Sequence, residues 1–432
     1  MTWLQLIIVL AFIFLGARLG SIGIGFAGAV GVVVLTLGLG MNPGTIPVDV
    51  ILIIMSVIGA VAAMQVAGGL DYLVYIADKL LRRRPQYVTF LAPAVTYFMT
   101  LLAGTGHTAY STLPVIAAVA RENGIRPSRP LSISVIASQV AITASPVSAA
   151  VVVFSGMLEP FGVDYLDLLL ICIPTTFVAV MLTSLVCNYL GCELHKDEVY
   201  LHKLSEGLIQ PAEVVDNRIK PGARMSVLIF GLSILAVVVY ATLVSDKVGV
   251  IDNPVLPRDS AIFAFMLSAA CLITLVTHID TNHILNAQTF KSGMSACICV
   301  LGVAWLGNTF VGAHLENVQE TAGDILDHYP WLLALALFLA SMLLYSQAAT
   351  TRALMPAALM IVDPVTAIAS FAAVSALFVL PTYPTLLAAV EMDETGSTRI
   401  GKMVFNHPFF VPGVICILLC VVFGFLLAPV II

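Results

Sequence analysis

Two polar motifs that end in proline interrupt two long apolar stretches of the chain. The first runs from Gly104 to Pro114 and the second from Ser346 to Pro356, so each reaches its proline ten residues after its start. The hydroxyl, amide, imidazole and backbone groups of these motifs could bind a small charged ligand. The candidate substrate ligands in the two motifs are Thr105, Gly106, His107, Thr108, Ser346, Gln347, Ala348, Thr350 and Arg352.

The next apolar segment after each motif is broken as well. Ser145-Pro146-Val147-Ser148 interrupts the segment in the first half, and Leu380-Pro381-Thr382-Tyr383-Pro384 interrupts the one in the second half. Proline removes a backbone donor and clashes with the carbonyl four residues earlier, so these motifs predict locally unwound helices. Further candidate substrate ligands are Ser145, Pro146, Ser148, Thr382 and Tyr383.

Unwound backbone at membrane depth restricts what can surround it. Lipid cannot satisfy the exposed amides and carbonyls, so such segments are tolerated only inside protein or beside a water-filled cavity. Four breaks therefore predict one central polar cavity, where helix N-termini present N–H groups and positive dipole ends. Two donor sets of this kind fit a small dicarboxylate. The hydroxyls and nearby carbonyls could also hold a coupling Na⁺ or proton, and the sequence leaves the coupling ion open.

Arg352 and His107 are the candidate ligands with the most distinctive chemistry. Arg352 is the one Lys or Arg inside an apolar segment, where charge is costly and usually functional, and its guanidinium suits a bidentate bond to a carboxylate. Alternatively, the Arg352 side chain extends to the membrane interface and does not contact the substrate. His107 could donate a hydrogen bond to the substrate or titrate during transport. Alternatively, it has only a structural role.

The composition makes the bilayer the solvent for most of the chain. Of 432 residues 60% are apolar and 10% are charged, against about 25% charged in soluble proteins, and the mean hydropathy is +1.03. This excludes soluble enzymes. No phosphate loop, zinc-peptidase motif or catalytic constellation stands out, and no basic run points to nucleic acid. We expect the cysteines to pack as small apolar residues, and we expect neither a metal site nor a resident cofactor.

We predict an all-α polytopic membrane protein with ten spans and two re-entrant hairpins. Spans of about 20 residues are predicted near 3–17, 22–40, 50–70, 131–157, 166–191, 225–245, 260–277, 292–312, 364–390 and 403–431. The interrupted stretches 87–120 and 330–361 are each too long for one span and could form two spans or a hairpin.

Charge distribution orients these segments in a bacterial inner membrane. With residues 79–84 placed in the cytoplasm, most Lys and Arg fall in cytoplasmic loops, as the positive-inside rule requires. Both termini are then periplasmic. The predicted outward loops contain the acidic residues Glu159, Asp164, Asp167, Asp252, Glu316, Glu320, Asp324 and Asp327.

A mixed-charge stretch in the middle of the chain separates two similar halves. Residues 193–223 are predicted to form a solvated cytoplasmic linker between a first repeat, 1–192, and a second repeat, 224–432. Each half has five spans and one interrupted stretch, but they start on opposite sides. This pattern is typical of the inverted repeats of secondary transporters.

Asp78, Arg82 and Arg126 are candidate transport or gating residues near the cytoplasmic face. Asp78 and Arg82 are four residues apart, as a helical ion pair requires. The alternative is that all three act as ordinary membrane-interface anchors.

The chain also resembles the Dcu family of anaerobic C4-dicarboxylate transporters along nearly its whole length. The resembling stretches are Gly16-Ala17-Arg18, Gly68-Gly69-Leu70-Asp71, Lys79-Leu80-Leu81-Arg82-Arg83, Gly104-Thr105-Gly106-His107, Asn123-Gly124-Ile125-Arg126-Pro127, Ala144-Ser145-Pro146-Val147-Ser148, Gly312-Ala313-His314, Ser346-Gln347-Ala348-Ala349 and Leu380-Pro381-Thr382-Tyr383-Pro384. A departure follows Ser-Gln-Ala-Ala, where the family has small apolar residues and this chain has Thr350, Thr351 and Arg352.

The resemblance implies exchange of fumarate, malate or aspartate for succinate across the cytoplasmic membrane. It also implies a distant relation to carriers in which a substrate-holding domain moves like an elevator. It adds weight to Asp78, Arg82 and Arg126 as transport residues, because the family has an acidic residue and arginines around these positions. Two other functions stay open at this level: a channel for small organic anions and a membrane sensor. A homo-oligomer and a membrane sensor kinase are the candidate protein partners.

Overall fold

The computed structural model is built from helices in every part of the chain that it describes. It describes residues 2–19, 22–46, 48–209, 219–244, 250–251, 254–344, 346–380, 383–401 and 405–432, and these ranges contain no β-strand. In the first half the α-helices are α1 Thr2–Leu19, α2 Gly23–Val33, α3 Val48–Val66, α4 Gly69–Arg83, α5 Val88–Ala103, α6 Ala109–Glu122, α7 Ser128–Val140, α8 Ala149–Leu158, α9 Tyr165–Cys187 and α10 Glu198–Ser205.

The second half repeats this helical pattern with one much longer helix. Its α-helices are α11 Ala223–Val244, α12 Arg258–Thr277, α13 Thr281–Asn286, α14 Gln288–His328, α15 Leu332–Leu344, α16 Gln347–Ala358, α17 Pro364–Ser370, α18 Pro384–Met392 and α19 Phe410–Ile431. Tighter 3₁₀ turns form Gly106–Thr108, Ala141–Ala144 and Phe371–Phe378. The last two continue α7 and α17 towards the predicted proline breaks.

Several helices are long and apolar enough to cross a bilayer. Six of them in the described residues meet this requirement, or seven if the bent pair of α3 and α4 counts as one span. Shorter apolar helices occur at Leu4–Gly16, Gly25–Gly38, Leu332–Met342 and Pro364–Phe378. These fall where the sequence predicted spans or a hairpin arm, but they are shorter than the roughly 20 residues that a straight span needs.

Two helices replace predicted loops. α4 follows a bend of 69° after α3, at Gly68, whose φ of +86° is in the left-handed region that favours glycine. Leu70, Val74, Ala77 and Leu81 form its buried face. α4 was not among the predicted spans, because its opposite face is charged and its average hydropathy is therefore low.

α14 likewise extends beyond its predicted end. It has 41 residues, whereas the sequence predicted a span that ends near residue 312. Glu316, Glu320, Asp324 and Asp327 therefore lie within a helix and not in an outward loop. A helix does not have to end at the membrane surface, because charged residues favour water without disfavouring helix formation.

The helices pack into two groups. The core bundle consists of α5–α9 and α15–α19 and shares one hydrophobic core, in which Tyr97, Phe154, Phe371 and Phe409 are fully buried. The outer bundle consists of α1–α3, α11, α12 and α14, with two smaller hydrophobic clusters. α4 contacts both bundles, through α5 and α6 on one side and α3 and α11 on the other.

Contacts in the first half have counterparts in the second. α1 packs on α2 as α11 packs on α12, and α2 packs on α14 as α12 packs on α3. In the core bundle, α6 contacts α18 and α16 contacts α8. Two repeats related by a pseudo-twofold axis would give these pairs. The inverted repeat and its boundaries stay predictions.

The beginning of the predicted linker is folded onto the core bundle and is not solvated throughout. Residues 194–196 form a turn and α10 follows, while residues 210–218 of the linker lie outside the described ranges. Asp197 is 2% exposed. The predicted solvated linker is wrong for this part, because a mixed-charge sequence is typical of a solvated segment and does not show which distant residues form ion pairs with it.

Candidate functional site

The first break is a tight turn in which α5 ends against the second break. Gly104 has φ +70° and its N–H donates to the Thr100 carbonyl over 2.8 Å, as in a left-handed helix cap. A Cβ on Gly104 would lie 2.9 Å from the Val147 carbonyl oxygen. Glycine is therefore needed here both for its conformation and for this close approach.

Threonines surround the tip of this turn. The hydroxyls of Thr100 and Thr108 are 3.0 Å apart, and the Thr108 hydroxyl donates to the Thr105 carbonyl over 3.2 Å. Thr108 and Gly106 are buried and Thr105 is half-buried. The side chain of the sequence-predicted ligand His107 lies outside the described part of the structure.

Serine hydroxyls of the second break bind backbone groups at both breaks of the first half. The Ser145 hydroxyl donates to the Leu101 carbonyl over 2.7 Å, so it links the two breaks of the first half. The Ser148 hydroxyl donates to the Ile142 carbonyl over 2.6 Å and accepts from the Val151 N–H over 3.2 Å. It therefore caps α8.

The Pro146 carbonyl accepts a hydrogen bond from the Tyr165 hydroxyl on the neighbouring α9. Pro146 itself is buried, as are Ser145 and Ser148. The break is therefore enclosed by protein that supplies its hydrogen bonds. Enclosure by protein is one of the two environments in which non-helical backbone is tolerated at membrane depth.

The third break lies between α15 and α16, where the second motif begins. Ser346 caps α16: its backbone is extended and its hydroxyl accepts from the Ala349 N–H over 3.2 Å. The Thr350 hydroxyl donates to the Ser346 carbonyl over 2.9 Å. Ala348 is half-buried at this N-terminal turn, and Arg352, also half-buried, follows one turn later.

The fourth break follows the 3₁₀ segment Phe371–Phe378. The Ser341 hydroxyl on α15 donates to the Ala373 carbonyl over 3.1 Å and accepts from the Ala376 N–H over 3.1 Å. It supports a kink at Ala376, whose ψ of +31° is not helical. Pro381 and the predicted ligand Thr382 lie outside the described residues, and the half-buried Tyr383 precedes α18.

The two halves meet at the backbone carbonyl of Gln139. This carbonyl accepts from Nε2 of Gln347 on α16 over 3.3 Å and from the Ser375 hydroxyl over 3.2 Å. Gln139 is 1% exposed and Gln347 is 5% exposed. The sequence reasoning singled out Gln347 but missed Gln139 and Ser375. The available signal was a glutamine, Ser138-Gln139, in an otherwise apolar run.

Asp78 and Arg82 form the expected ion pair, which extends to a third residue. Nε of Arg82 lies 2.7 Å from Asp78 on the same helix, and Nη1 lies 2.6 Å from Glu122 at the end of α6. The pair therefore ties α4, which contacts both bundles, to the first motif's helix α6. Because Arg82 is exposed, each ion pair contributes little to stability.

Arg126 is buried in an ion pair and is not an exposed membrane-interface anchor. Its Nη1 lies 2.6 Å from Asp197, and the two side chains are 9% and 1% exposed. Nε of Arg126 also donates to the Ser128 hydroxyl over 2.9 Å. Arg126 therefore fastens the start of the linker to the loop between α6 and α7.

A small cavity lies where the first break faces the outer bundle and α4. Its volume is about 70 Å³ and its lining is almost entirely apolar. The lining residues are Met64, Leu70, Leu73, Met99, Leu102, Ala103, Thr108, Val227, Phe230 and Gly231. Within the described residues no group of three His, Cys, Asp or Glu side chains is placed to hold a metal ion.

Comparison with known proteins gives a whole-chain match to one family. A family model described as an anaerobic C4-dicarboxylate membrane transporter matches residues 1–432. The C4-dicarboxylate transporter DcuA of Wolinella succinogenes is 65% identical over 427 residues, 99% of each chain. DcuA of Escherichia coli K12 is 56% identical, and DcuB of Escherichia coli O6:H1 is 40% identical, each over 98% of both chains.

Two solved transporters have a similar fold. The YdaH transporter of Alcanivorax borkumensis matches with a TM-score of 0.55 at 12% identity, over 99% of this chain and 96% of its own. MtrF of Neisseria gonorrhoeae matches with a TM-score of 0.57 at 11% identity, over 92% of this chain and 84% of its own. At these identities the likeness concerns the fold alone, which confirms the predicted all-α polytopic membrane class.

Proposed function

This chain belongs to the anaerobic C4-dicarboxylate membrane transporter family, and we propose that it exchanges C4-dicarboxylates across the bacterial inner membrane by alternating access. Fumarate, malate, aspartate and succinate are the proposed substrates. The observation that carries the proposal is that helix breaks from both halves pack around the end of α7 in a chain that matches this family throughout. Ser145 at the second break bonds to Leu101, and Gln347 and Ser375 of the second half both bond to the Gln139 carbonyl. Both termini are proposed to be periplasmic.

The substrate is proposed to bind between the first break and the N-terminus of α16. A helix N-terminus carries a partial positive charge and N–H groups without intrahelical acceptors, so it suits a carboxylate. Ser346, Gln347, Ala348 and Thr350 line this end of α16, and Arg352 on the same helix would supply a bidentate contact. The other proposed ligands come from the remaining three motifs: Thr105, Gly106, His107, Thr108, Ser145, Pro146, Ser148, Thr382 and Tyr383.

Alternating access is proposed to occur by movement of the core bundle past the outer bundle. The surface between them is apolar and contains small residues: the cavity beside the first break is apolar, and Gly307 on α14 faces Ala353 on α16. Val147, at a break in the core bundle, also packs into an outer-bundle cluster. Few polar bonds then have to break when the surfaces slide.

Asp78 and Arg82 are proposed to gate this movement. Their pair with Glu122 joins α4 to α6 and is accessible to solvent, so it can break and re-form at low cost. Arg126 is proposed to act differently, as part of the fastening that keeps the loop after α6 attached to the linker.

Counterflow in proteoliposomes tests the exchange. Preloaded succinate should accelerate entry of labelled fumarate, and the flux should saturate with external fumarate. A flux that stays linear with concentration would favour an anion channel. Absence of acceleration by any C4-dicarboxylate would refute exchange. Imposed Na⁺ or proton gradients in the same vesicles identify the coupling ion.

Gln347→Ala tests the proposed ligand set. We expect its apparent affinity for fumarate to fall about tenfold, because it removes a polar contact at α16, equivalent to about 1.4 kcal/mol. Gln65→Ala is the matched control: Oε1 of Gln65 accepts from the Thr289 N–H over 3.2 Å within the outer bundle. Equal affinities in wild type and Gln347→Ala would contradict the site.

A reversible cross-link tests the movement. A Cβ built at Gly307 lies 3.2 Å from the Ala353 Cβ, close to the 3.5–4.5 Å that a disulfide requires. In a transport-competent background without native cysteines, oxidised Gly307→Cys/Ala353→Cys should stop exchange and dithiothreitol should restore it. The two single variants control for side-chain size. Unchanged exchange by a fully cross-linked protein would exclude relative movement here.

A sensor role for the linker is the alternative function, with a membrane sensor kinase as its partner. Only the folded start of the linker, which can present a defined surface, favours it. Deleting part of residues 193–222 and measuring both exchange and the cell's transcriptional response to fumarate separates signalling from transport. A homo-oligomer remains a proposal, which mass measurement of the detergent-solubilised protein tests.

A further inference from the structure

Gln139 presents a buried amide without a hydrogen bond to the described residues. It lies at the end of α7, just before the turn Ala141–Ala144, and is 1% exposed. Among the described residues, neither its Oε1 nor its Nε2 has a hydrogen-bond partner. Buried amides are nearly always paired in native proteins, because burial removes their bonds to water.

The position of Gln139 adds a second observation. Its backbone carbonyl is the point where Gln347 at the start of α16 and Ser375 in Phe371–Phe378 both donate hydrogen bonds. This residue of the first half therefore contacts two elements of the second half at the N-terminus proposed to receive a carboxylate. The side chain that lacks a partner among the described residues belongs to that same residue.

A primary amide has a particular chemistry in such a position. Nε2 donates two hydrogen bonds and Oε1 accepts, and neither end carries a charge. A carboxylate can use only the Nε2 end. An ammonium only donates, so it must use the Oε1 end, whereas a hydroxyl donates and accepts and can use either end. An amide can thus distinguish dicarboxylates by the substituent next to the carboxylate.

We propose that Gln139 is a specificity-determining residue that recognises the C2 substituent of the transported dicarboxylate. Its Nε2 donates to a substrate carboxylate, and its Oε1 accepts from the C2 ammonium of aspartate or the C2 hydroxyl of malate. Succinate and fumarate have no donor at C2 and use the Nε2 end alone. This inference rests on the proposed function, since it assigns a role within the same site.

Competition between substrates tests this assignment. Gln139→Leu and Gln139→Met keep the volume of the side chain and remove both polar ends. The apparent affinity for aspartate and malate should fall about tenfold more than that for succinate, because these two substrates lose one hydrogen bond to the C2 substituent. Counterflow of labelled aspartate and, in a separate experiment, of labelled succinate gives the two apparent affinities, and their ratio measures the selectivity. Gln139→Met serves if the branched leucine prevents folding.

Thermal melting separates substrate recognition from a structural role of the amide, in which its removal would lower the melting temperature. Because the amide has no partner among the described residues, its replacement by an apolar group should leave the melting temperature unchanged or raised. Ser134→Ala is the matched control, since Ser134 is also on α7, is buried, and its hydroxyl has no partner among the described residues. It should change neither melting nor selectivity.

Equal losses for all substrates, or a lower melting temperature without a change in selectivity, would overturn the assignment. Such results would mean that a water molecule or a conformational change satisfies the amide. If wild-type protein exchanges no dicarboxylate, the proposed function fails as a whole. If wild type exchanges them and the selectivity ratio is unchanged in both Gln139 variants, this inference alone fails.

Discussion

Replacing Asp197 should release the start of the linker from the core bundle. The Asp197 carboxylate accepts from the backbone N–H groups of Val199 and Tyr200 over 3.0 and 3.3 Å, which caps α10. It also lies 2.6 Å from Nη1 of Arg126 and 3.2 Å from Nη1 of Arg399. The side chain is 1% exposed, so water contributes little to these bonds.

Asp197 therefore joins three segments, which we call the linker clasp: the loop 123–127 between α6 and α7, the linker start 193–205 and the loop 393–399. Other bonds support it. The Ser128 N–H donates to the Ser397 hydroxyl over 3.1 Å, and Nζ of Lys203 donates to the Glu394 carbonyl over 3.0 Å. The clasp thus connects loops from both halves of the core bundle.

The size of the effect follows from burial. Asp197→Ala removes the helix cap, worth about 1 kcal/mol. It also leaves Arg126, 9% exposed, without its carboxylate, and breaking a buried pair in this way costs about 3–5 kcal/mol. Arg399 is 51% exposed and contributes little. The clasp should therefore lose at least about 3 kcal/mol, more than a hundredfold in its open population.

Limited proteolysis of purified protein in detergent measures this population. When cleavage is slow compared with closing, its rate follows the fraction of open clasp. Cleavage between residues 193 and 209 should accelerate about a hundredfold in Asp197→Ala. Glu206→Ala is the matched control, because Glu206 pairs only over 3.7 Å with His202 and is 50% exposed. It should be cleaved at the wild-type rate.

A double variant separates the ion pair from the cap. Arg126→Ala/Asp197→Ala should be less destabilised than the sum of the single variants, since the second replacement removes the unpaired charge. Cleavage of Asp197→Ala at the wild-type rate would refute the reasoning. It would mean that water replaces the carboxylate at no cost and that the linker start is held by other contacts.

Three further predictions concern single groups. Ser145→Ala should lower the stability of the detergent-solubilised protein by about 1–3 kcal/mol, because the Leu101 carbonyl loses its donor at a buried break; an unchanged denaturation midpoint would contradict this. Gly104→Ala should cost about 1–2 kcal/mol for its positive φ, add a clash with Val147, and reduce the exchange rate in counterflow; wild-type exchange would show that the turn can relax. Burial raises the pKa of Asp197, but the Tyr200 N–H and the guanidinium groups of Arg126 and Arg399 lower it more, so the net pKa is below its ordinary 3.8. The Asp197 carboxylate should thus contribute fully to the stability of the clasp above about pH 5 and lose this contribution as pH falls through the lowered pKa. If cleavage by an acid protease, measured relative to Asp197→Ala, accelerated already near pH 6, the lowered pKa would be contradicted.

Much of the site was predictable because its signals are local. Proline and glycine act on their own and neighbouring backbone, so the breaks after Ala103 and Ala144 followed from residue type alone. Lipid then leaves few ways to satisfy the freed groups. The serines that satisfy them, Ser145 and Ser148, stand within the motifs themselves and were therefore among the predicted ligands.

Other parts of the site depend on which distant segments meet. Gln139 gains its position from Gln347 and Ser375, which are more than 200 residues away in the chain. Arg126 looked like an exposed loop cation until Asp197 was placed against it. Sequence patterns describe the preference of one segment for water or lipid, and they do not specify a partner.

The sequence by itself therefore determined the solvent, the helical class and the places where helices break, since each depends on the hydration and geometry of consecutive residues. Tertiary structure decided that the breaks of both halves meet, that α4 bridges two bundles and that the linker start is fastened down. Those outcomes depend on packing and charge pairing between remote residues, whose free energies exist only when the chain is folded.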